Sequence, residues 1–193
     1  MNAKPGDVAS RGEESPIAVL AEEHALILQA LDVLERGLAR IESGVPVGGT
    51  FFGQLGGFFQ GFADRYHHGK EEAILFQRMV EEMDYPRRSG PIAVLSSEHE
   101  IGRARVRAVA AAAGRLETDP AAARQVVEEG RAYIALLRAH IEREDHKVFP
   151  AVEDFLGPDE RAELLAVFSR FEAAEGGAII PAKYAALIEG LAR

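Results

Sequence analysis

Six ionisable residues recur in a pattern suited to metal chemistry. Arg65–Phe76 reads RYHHGKEEAILF and Arg138–Phe149 reads RAHIEREDHKVF. In this pairing His67 falls on His140, Glu71 on Glu144, Lys70 on Arg143, Glu72 on Asp145 and Phe76 on Phe149. Pro16–His24 (PIAVLAEEH) likewise returns as Pro91–His99 (PIAVLSSEH), with seven of nine residues identical. The chain therefore reads as two copies of one helical hairpin. Each copy has an isolated His on its first helix and a His-x-x-x-Glu pair on its second. Residues i and i+4 share a helix face, about 5–6 Å apart at Cβ. His67 with Glu71, and His140 with Glu144, can thus point into one interior.

His24 lies in register with Leu20, Ile27 and Leu31, and His99 with Leu95 and Val106. Taken singly, a histidine on an apolar stripe is more often a satisfied core residue than a ligand. Taken together, four inward histidines and two inward glutamates do not easily satisfy one another, because desolvating a carboxylate is costly. A pair of divalent cations resolves that cost. Imidazole and carboxylate without thiolate suit iron, manganese or zinc. A site of four His and two bridging Glu leaves positions open for a small ligand, which suits a redox-active di-iron pair best. The Glu-x-x-His spacing of ferritin-like di-iron bundles occurs nowhere in the chain.

The elements that must carry these residues are helical. Pro16, Pro91, Pro120, Pro158 and Pro181 suit the first position of a helix, where the missing N–H costs nothing. Ser15 and Asp119 stand before two of them as N-caps. Apolar residues recur at helical spacing, and no segment alternates as a half-buried strand does. The spacing predicts an all-α chain with helices near 16–43, 49–84, 91–117, 120–149, 158–173 and 181–192. Short links make the first four an antiparallel up-down-up-down four-helix bundle, with two additional C-terminal helices. The expected division is a flexible segment at 1–14, the bundle at 15–152 and a C-terminal helical extension at 153–193. The second helix opens with Phe51, Phe52, Phe58, Phe59 and Phe62 interleaved with glycines. Two readings fit: close helix packing, or the wall of a small apolar pocket.

Composition narrows the function. The chain has 193 residues, 47% hydrophobic and 27% charged, and no cysteine. Disulfides and thiolate-bound metal clusters are thereby excluded. The formal charge of −9 makes nucleic acid a poor partner. No apolar run approaches the roughly 18 residues of a membrane span. Nothing near Met1 resembles a signal peptide, so the expected location is cytoplasmic.

The residues EEH at 22–24, HHGKEEAILF at 67–76, SEHE at 97–100 and HIEREDHKVFP at 140–150 resemble the hemerythrin-like family, the HHE cation-binding domains. The resemblance covers about 16–152. It implies an antiparallel bundle around a non-haem di-iron centre, oxo- or hydroxo-bridged, with zinc or manganese as lesser alternatives. The implied ligands are His24, His67, Glu71, His99, His140 and Glu144, with Glu71 and Glu144 bridging. Oxygen-carrying members place His-x-x-x-His on the third helix, whereas here the position four after His99 is Arg103. The four-His, two-Glu set looks more like di-iron proteins linked to iron-centre repair and nitric oxide chemistry. Those usually carry an N-terminal cysteine segment.

Several neighbours are candidates for supporting roles. His68, one residue past His67, is either an extra ligand or a residue of the adjoining face. Glu72, Asp145, Glu23 and Glu98 are placed to hold ligand imidazoles. Tyr133, two turns before His140, either reaches the site or joins the core. Arg103 can pair with a neighbouring carboxylate, and His146 is expected at the surface. The leading expectation is a protein that binds or senses dioxygen, nitric oxide or peroxide. An enzyme acting on peroxide or nitric oxide, and an iron-handling protein, are the alternatives. The C-terminal helices either cap the bundle or form a homodimer face.

Overall fold

The computed structural model describes residues 15–193, so the lead-in expected over 1–14 lies outside the described residues. Six helices make up that span, with no strand among the described residues: α1 (Pro16–Glu42), α2 (49–82), α3 (Gly90–Ala113), α4 (120–155), α5 (Pro158–Ala174) and α6 (Ile179–Ala192). The starts follow the local chemistry. The Ser15 hydroxyl accepts from the Ile17 and Ala18 N–H groups, and the Asp119 carboxylate from that of Ala121. Pro16, Pro120 and Pro158 occupy first positions. Pro181 does not: α6 begins at Ile179, because Ile180 N–H already bonds back to the Gly177 carbonyl.

Two other helix ends differ by more than two residues from the expected ones. Helix α3 ends at Ala113 rather than near 117, where Arg115 and Leu116 switch to bonds three residues back and tighten the chain into turns. Helix α4 runs to Phe155, through Pro150. Helices α2 and α4 are also not uniform. Phe59–His68 and Glu71–Leu75 in α2, and Glu144–Val148 in α4, wind as π-helix. Each i→i+5 stretch widens the turn, a feature frequent at functional sites. Glu71 and Glu144 each open one of these stretches.

Packing runs in a cycle: α1 against α2, α2 against α3, α3 against α4, and α4 against α1. The buried apolar residues form two clusters. One holds Leu31, Leu34, Phe52, Phe58, Phe62 and Val126; the other holds Leu20, Leu75, Phe76, Leu95, Val148 and Phe149. The buried histidines and glutamates lie along each helix between members of the two clusters. Helix α1 passes from Leu20 through His24 to Ile27, while α2 passes the other way, from Tyr66 through His67 and Glu71 to Leu75. Phe52, Phe58 and Phe62 are core residues, as the packing reading of this segment had it.

The C-terminal helices lie on α1 and α2. Tyr184 of α6 stands edge-on to Phe58, with ring centroids 5.6 Å apart. Glycines make the approach possible. A Cβ at Gly69 would lie 2.7 Å from Phe171 Cζ, and one at Gly61 would overlap the Tyr184 hydroxyl. Gly61→Val is therefore expected to cost about 1–3 kcal/mol in urea unfolding. Tyr184→Ala should recover much of that loss in the double variant. Strictly additive costs would mean that α6 does not press on Gly61.

Candidate metal centre

Seven buried side chains meet between the two apolar clusters. His24, His67, Glu71 and Glu144 bring ligand atoms within 4.8 Å of one another, and so do His68, Glu71, His99 and His140. Glu71 belongs to both groups. All seven residues are buried, with Glu71 and Glu144 at 0% exposure.

Each imidazole but one is held from behind by a carboxylate of the neighbouring helix. His67 Nδ1 lies 2.8 Å from Glu23 on α1, and His99 Nδ1 lies 2.6 Å from Glu72 on α2. His140 Nδ1 lies 3.0 Å from Glu98 on α3, and His24 Nδ1 lies 2.7 Å from Asp145 on α4. The pattern closes into a ring, with each helix orienting the histidine of the next. A carboxylate at Nδ1 selects the tautomer with the proton there and leaves the Nε2 lone pair facing inward. Phe149 stacks on His24 and Phe76 on His99, repeating the same twofold relation.

The inward atoms are then nearly all acceptors. His24 Nε2, His67 Nε2 and both oxygens of Glu71 and Glu144 have no hydrogen-bond partner. Glu71 and Glu144 oxygens lie 3.1–3.5 Å from the Nε2 atoms of His24, His67, His99 and His140. His99 Nε2 and His140 Nε2 face each other at 3.1 Å. Acceptors packed this closely and away from water require cations between them, either protons or metal. The donor set of imidazole and carboxylate fits iron, manganese or zinc.

Protonation in the metal-free chain follows from the same geometry. Burial opposes a charge on His24, but Asp145 and Glu144 outweigh it and raise its pKa to about 9. Burial and then the neighbouring Glu144 push Glu71 well above the carboxylate range. Burial acts on Glu144 too, yet the His140 and His24 rings hold its pKa below the usual value. Burial drives His67 and His68 well down.

His68 is where simple helical reasoning falls short. Ideal α-helical winding rotates it about 100° from His67. The π-helical stretch lessens that rotation, so both rings point inward. His68 stacks on His99 with centroids 3.8 Å apart, and neither of its ring nitrogens has a hydrogen-bond partner. Its counterpart in the second copy is Ile141, a core residue. The two groups are therefore unequal, with two histidines in one and three in the other.

Further residues support the ring. Lys70 is fully buried and pairs with both Glu23 and Glu172, the latter at 2.8 Å on α5. Arg143, its counterpart, holds Glu98 at 2.6 Å. Arg103 holds Glu72 at 2.8 Å and Asp64 at 2.7 Å, filling the pairing role expected of it. Sequence reasoning assigned Lys70 and Arg143 no role, although their alignment in the repeat was a usable signal. Tyr133 packs edge-on to Phe59, 4.9 Å between centroids, and lines a cavity beside His68, His99 and His140. His146 is exposed, as expected.

A helical chain with a buried cluster of histidines and carboxylates belongs to the class of metal-binding helical domains. Residues 15–152 match the Hemerythrin HHE cation binding domain. The chain belongs to that family. It is also 24% identical over 160 residues to proteins of Mycobacterium bovis and Mycobacterium tuberculosis, each described only as uncharacterized. The match covers 81% of this chain and 62% of each relative, so the chain spans less than two thirds of their length. No solved structure gives a significant match. No helix among the described residues is long and apolar enough to cross a membrane.

Two outcomes follow from this chemistry. Loading the metal-free chain at neutral pH displaces the protons that buried neighbours hold on His24, His140 and Glu71, so weakly buffered solutions should acidify by roughly two to three protons per chain. Metal affinity should accordingly weaken as the pH falls through neutrality, whereas loading without proton release would contradict these charge states. Lys70→Met leaves Glu23 buried without its cation and should cost about 3–5 kcal/mol in urea unfolding. Arg143→Met, at a partly exposed site, should cost less, and equal losses would contradict the burial argument.

Proposed function

We propose that the four long helices form an up-down-up-down bundle around a di-iron pair. His24, His67, Glu71 and Glu144 hold one ion, and His68, Glu71, His99 and His140 hold the other. Glu71 would be shared by the two groups, and Glu144, which also lies 3.1 Å from His140 Nε2, would be the second shared carboxylate. The alternation of the two apolar clusters along successive helices supports the bundle direction. The observation that carries the metal reading is the set of buried, unpartnered acceptor atoms converging in two groups that share one carboxylate.

The protein's role is to bind or sense a small ligand such as dioxygen, nitric oxide or peroxide. A di-iron pair held there would supply up to two electrons to such a ligand. The chain supplies orientation: the carboxylates behind Nδ1 of His24, His67, His99 and His140 fix those four rings and raise their basicity. The two apolar clusters keep bulk water from the buried groups. His68 supplies the third histidine of its group, a place that Arg103 cannot fill because a guanidinium offers no acceptor lone pair; Arg103 pairs with Glu72 and Asp64 instead.

Elemental analysis of protein loaded anaerobically with ferrous ion tests the reading. About two irons per chain are expected. Two zincs that iron does not displace would remove the redox role, and no bound metal would overturn the proposal. Glu71→Gln should abolish binding of both ions, while the metal-free variant unfolds within about 1 kcal/mol of the parent, because Gln replaces an already neutral group. His68→Leu should lose about one of two ions. Full retention in His68→Leu would remove His68 from the ligand set.

A further inference from the structure

A cavity of about 610 Å3 lies among α2, α3 and α4, with His68, His99 and His140 on its inner side. That volume falls within the roughly 300–1,000 Å3 usual for organic ligands. It far exceeds the need of a diatomic, which takes up little more than the share of one water, about 30 Å3. The walls are chiefly apolar: Phe59, Val106, Leu136 and Leu137. Gly102 lies in the wall facing Tyr133, and a Cβ there would stand 3.5 Å from the Tyr133 ring. A larger side chain at this position has only the cavity to enter.

Two features point to an anionic ligand. Tyr133 is 3% exposed, lines the cavity and has no hydrogen-bond partner among the described residues. Burial raises its phenol pKa, so the hydroxyl stays protonated and is a donor awaiting an acceptor. Arginines 65, 103 and 107 also line the cavity, against Asp64 and Glu98. Both acids are already matched, Asp64 by Arg103 and Glu98 by Arg143. Arg65 and Arg107 are exposed and make no ion pair among the described residues. A chain of net charge −9 thus presents two uncommitted guanidinium groups at one apolar opening.

We propose that this cavity binds a small organic carboxylate, its apolar body against Phe59, Val106 and Leu137, its acid group met by Arg65 and Arg107, and an acceptor atom by Tyr133. The walls and arginines do not depend on metal, so the inference stands apart from the di-iron reading. It makes the three-histidine group, rather than the two-histidine group, the one that faces an exogenous molecule.

Calorimetric titration with benzoate, on both the metal-free and the metal-loaded full chain, is the test. One benzoate per chain is expected in at least one state, with uncharged benzamide roughly tenfold weaker or worse. Arg65→Gln with Arg107→Gln should weaken benzoate by about the same factor, with metal content unchanged. Gly102→Leu should abolish binding while circular dichroism stays that of the parent. If that variant fails to fold, the double arginine variant alone decides. No benzoate binding in either state, equal benzamide affinity, or undiminished binding in the double arginine variant would each overturn the proposal. So would undiminished binding in a folded Gly102→Leu variant. Benzoate binding by a chain that takes up no metal would uphold the cavity and remove the di-iron reading; two irons without benzoate binding would do the reverse.

Discussion

The constraint on which the rest of the structure depends is the burial of carboxylates and imidazoles in one layer of a helical core. Isolated, each such group would be expensive to desolvate. The chain meets the cost in two ways. Outward nitrogens are paired: each helix of the ring offers a carboxylate to the histidine of the next, at 2.6–3.0 Å. Inward atoms are left as acceptors that a shared cation must join. The first arrangement makes the second possible, because a ring pinned at Nδ1 can only present Nε2.

Three of the four pinning carboxylates are themselves held by a cation. Lys70 binds Glu23, Arg103 binds Glu72 and Arg143 binds Glu98. Only Lys70 is fully buried, and it also reaches Glu172 on α5. Helix α5 is therefore tied to the polar layer by charge as well as by the packing of Phe171 that Gly69 admits, and α6 by the packing of Tyr184 that Gly61 admits. That tie belongs to the first half of the repeat alone and departs from twofold symmetry, as does Arg103, which holds Glu72 but has no equivalent at Asp145 among the described residues.

A further departure is His68 opposite Ile141. A histidine in one copy and an aliphatic residue in the other make the two groups chemically unequal. The cavity lies beside the group with the added histidine, and the edge-on pair Phe59 and Tyr133 lines it. The phenylalanine-rich start of α2 thus does both things its sequence suggested. Phe52, Phe58 and Phe62 fill the core, while Phe59 is part of a cavity wall.

The helical chain, its starts at Pro16, Pro120 and Pro158, and the inward set of His24, His67, Glu71, His99, His140 and Glu144 were legible in the residue order. Their causes are local: proline and cap chemistry, 3.6-residue spacing, and a repeat that places equivalent residues at equivalent positions. Family membership was legible for the same reason, since its motifs are short and contiguous. Tertiary structure decided the rest. Whether His68 turns inward depends on π-helical winding, which ideal α-helical spacing does not anticipate. Which carboxylate holds which imidazole depends on contacts between residues as far apart as His24 and Asp145. The burial of Lys70 depends on α5 closing over it. Local periodicity sets the direction of a side chain on its own helix, but its partners are chosen by which helices pack together.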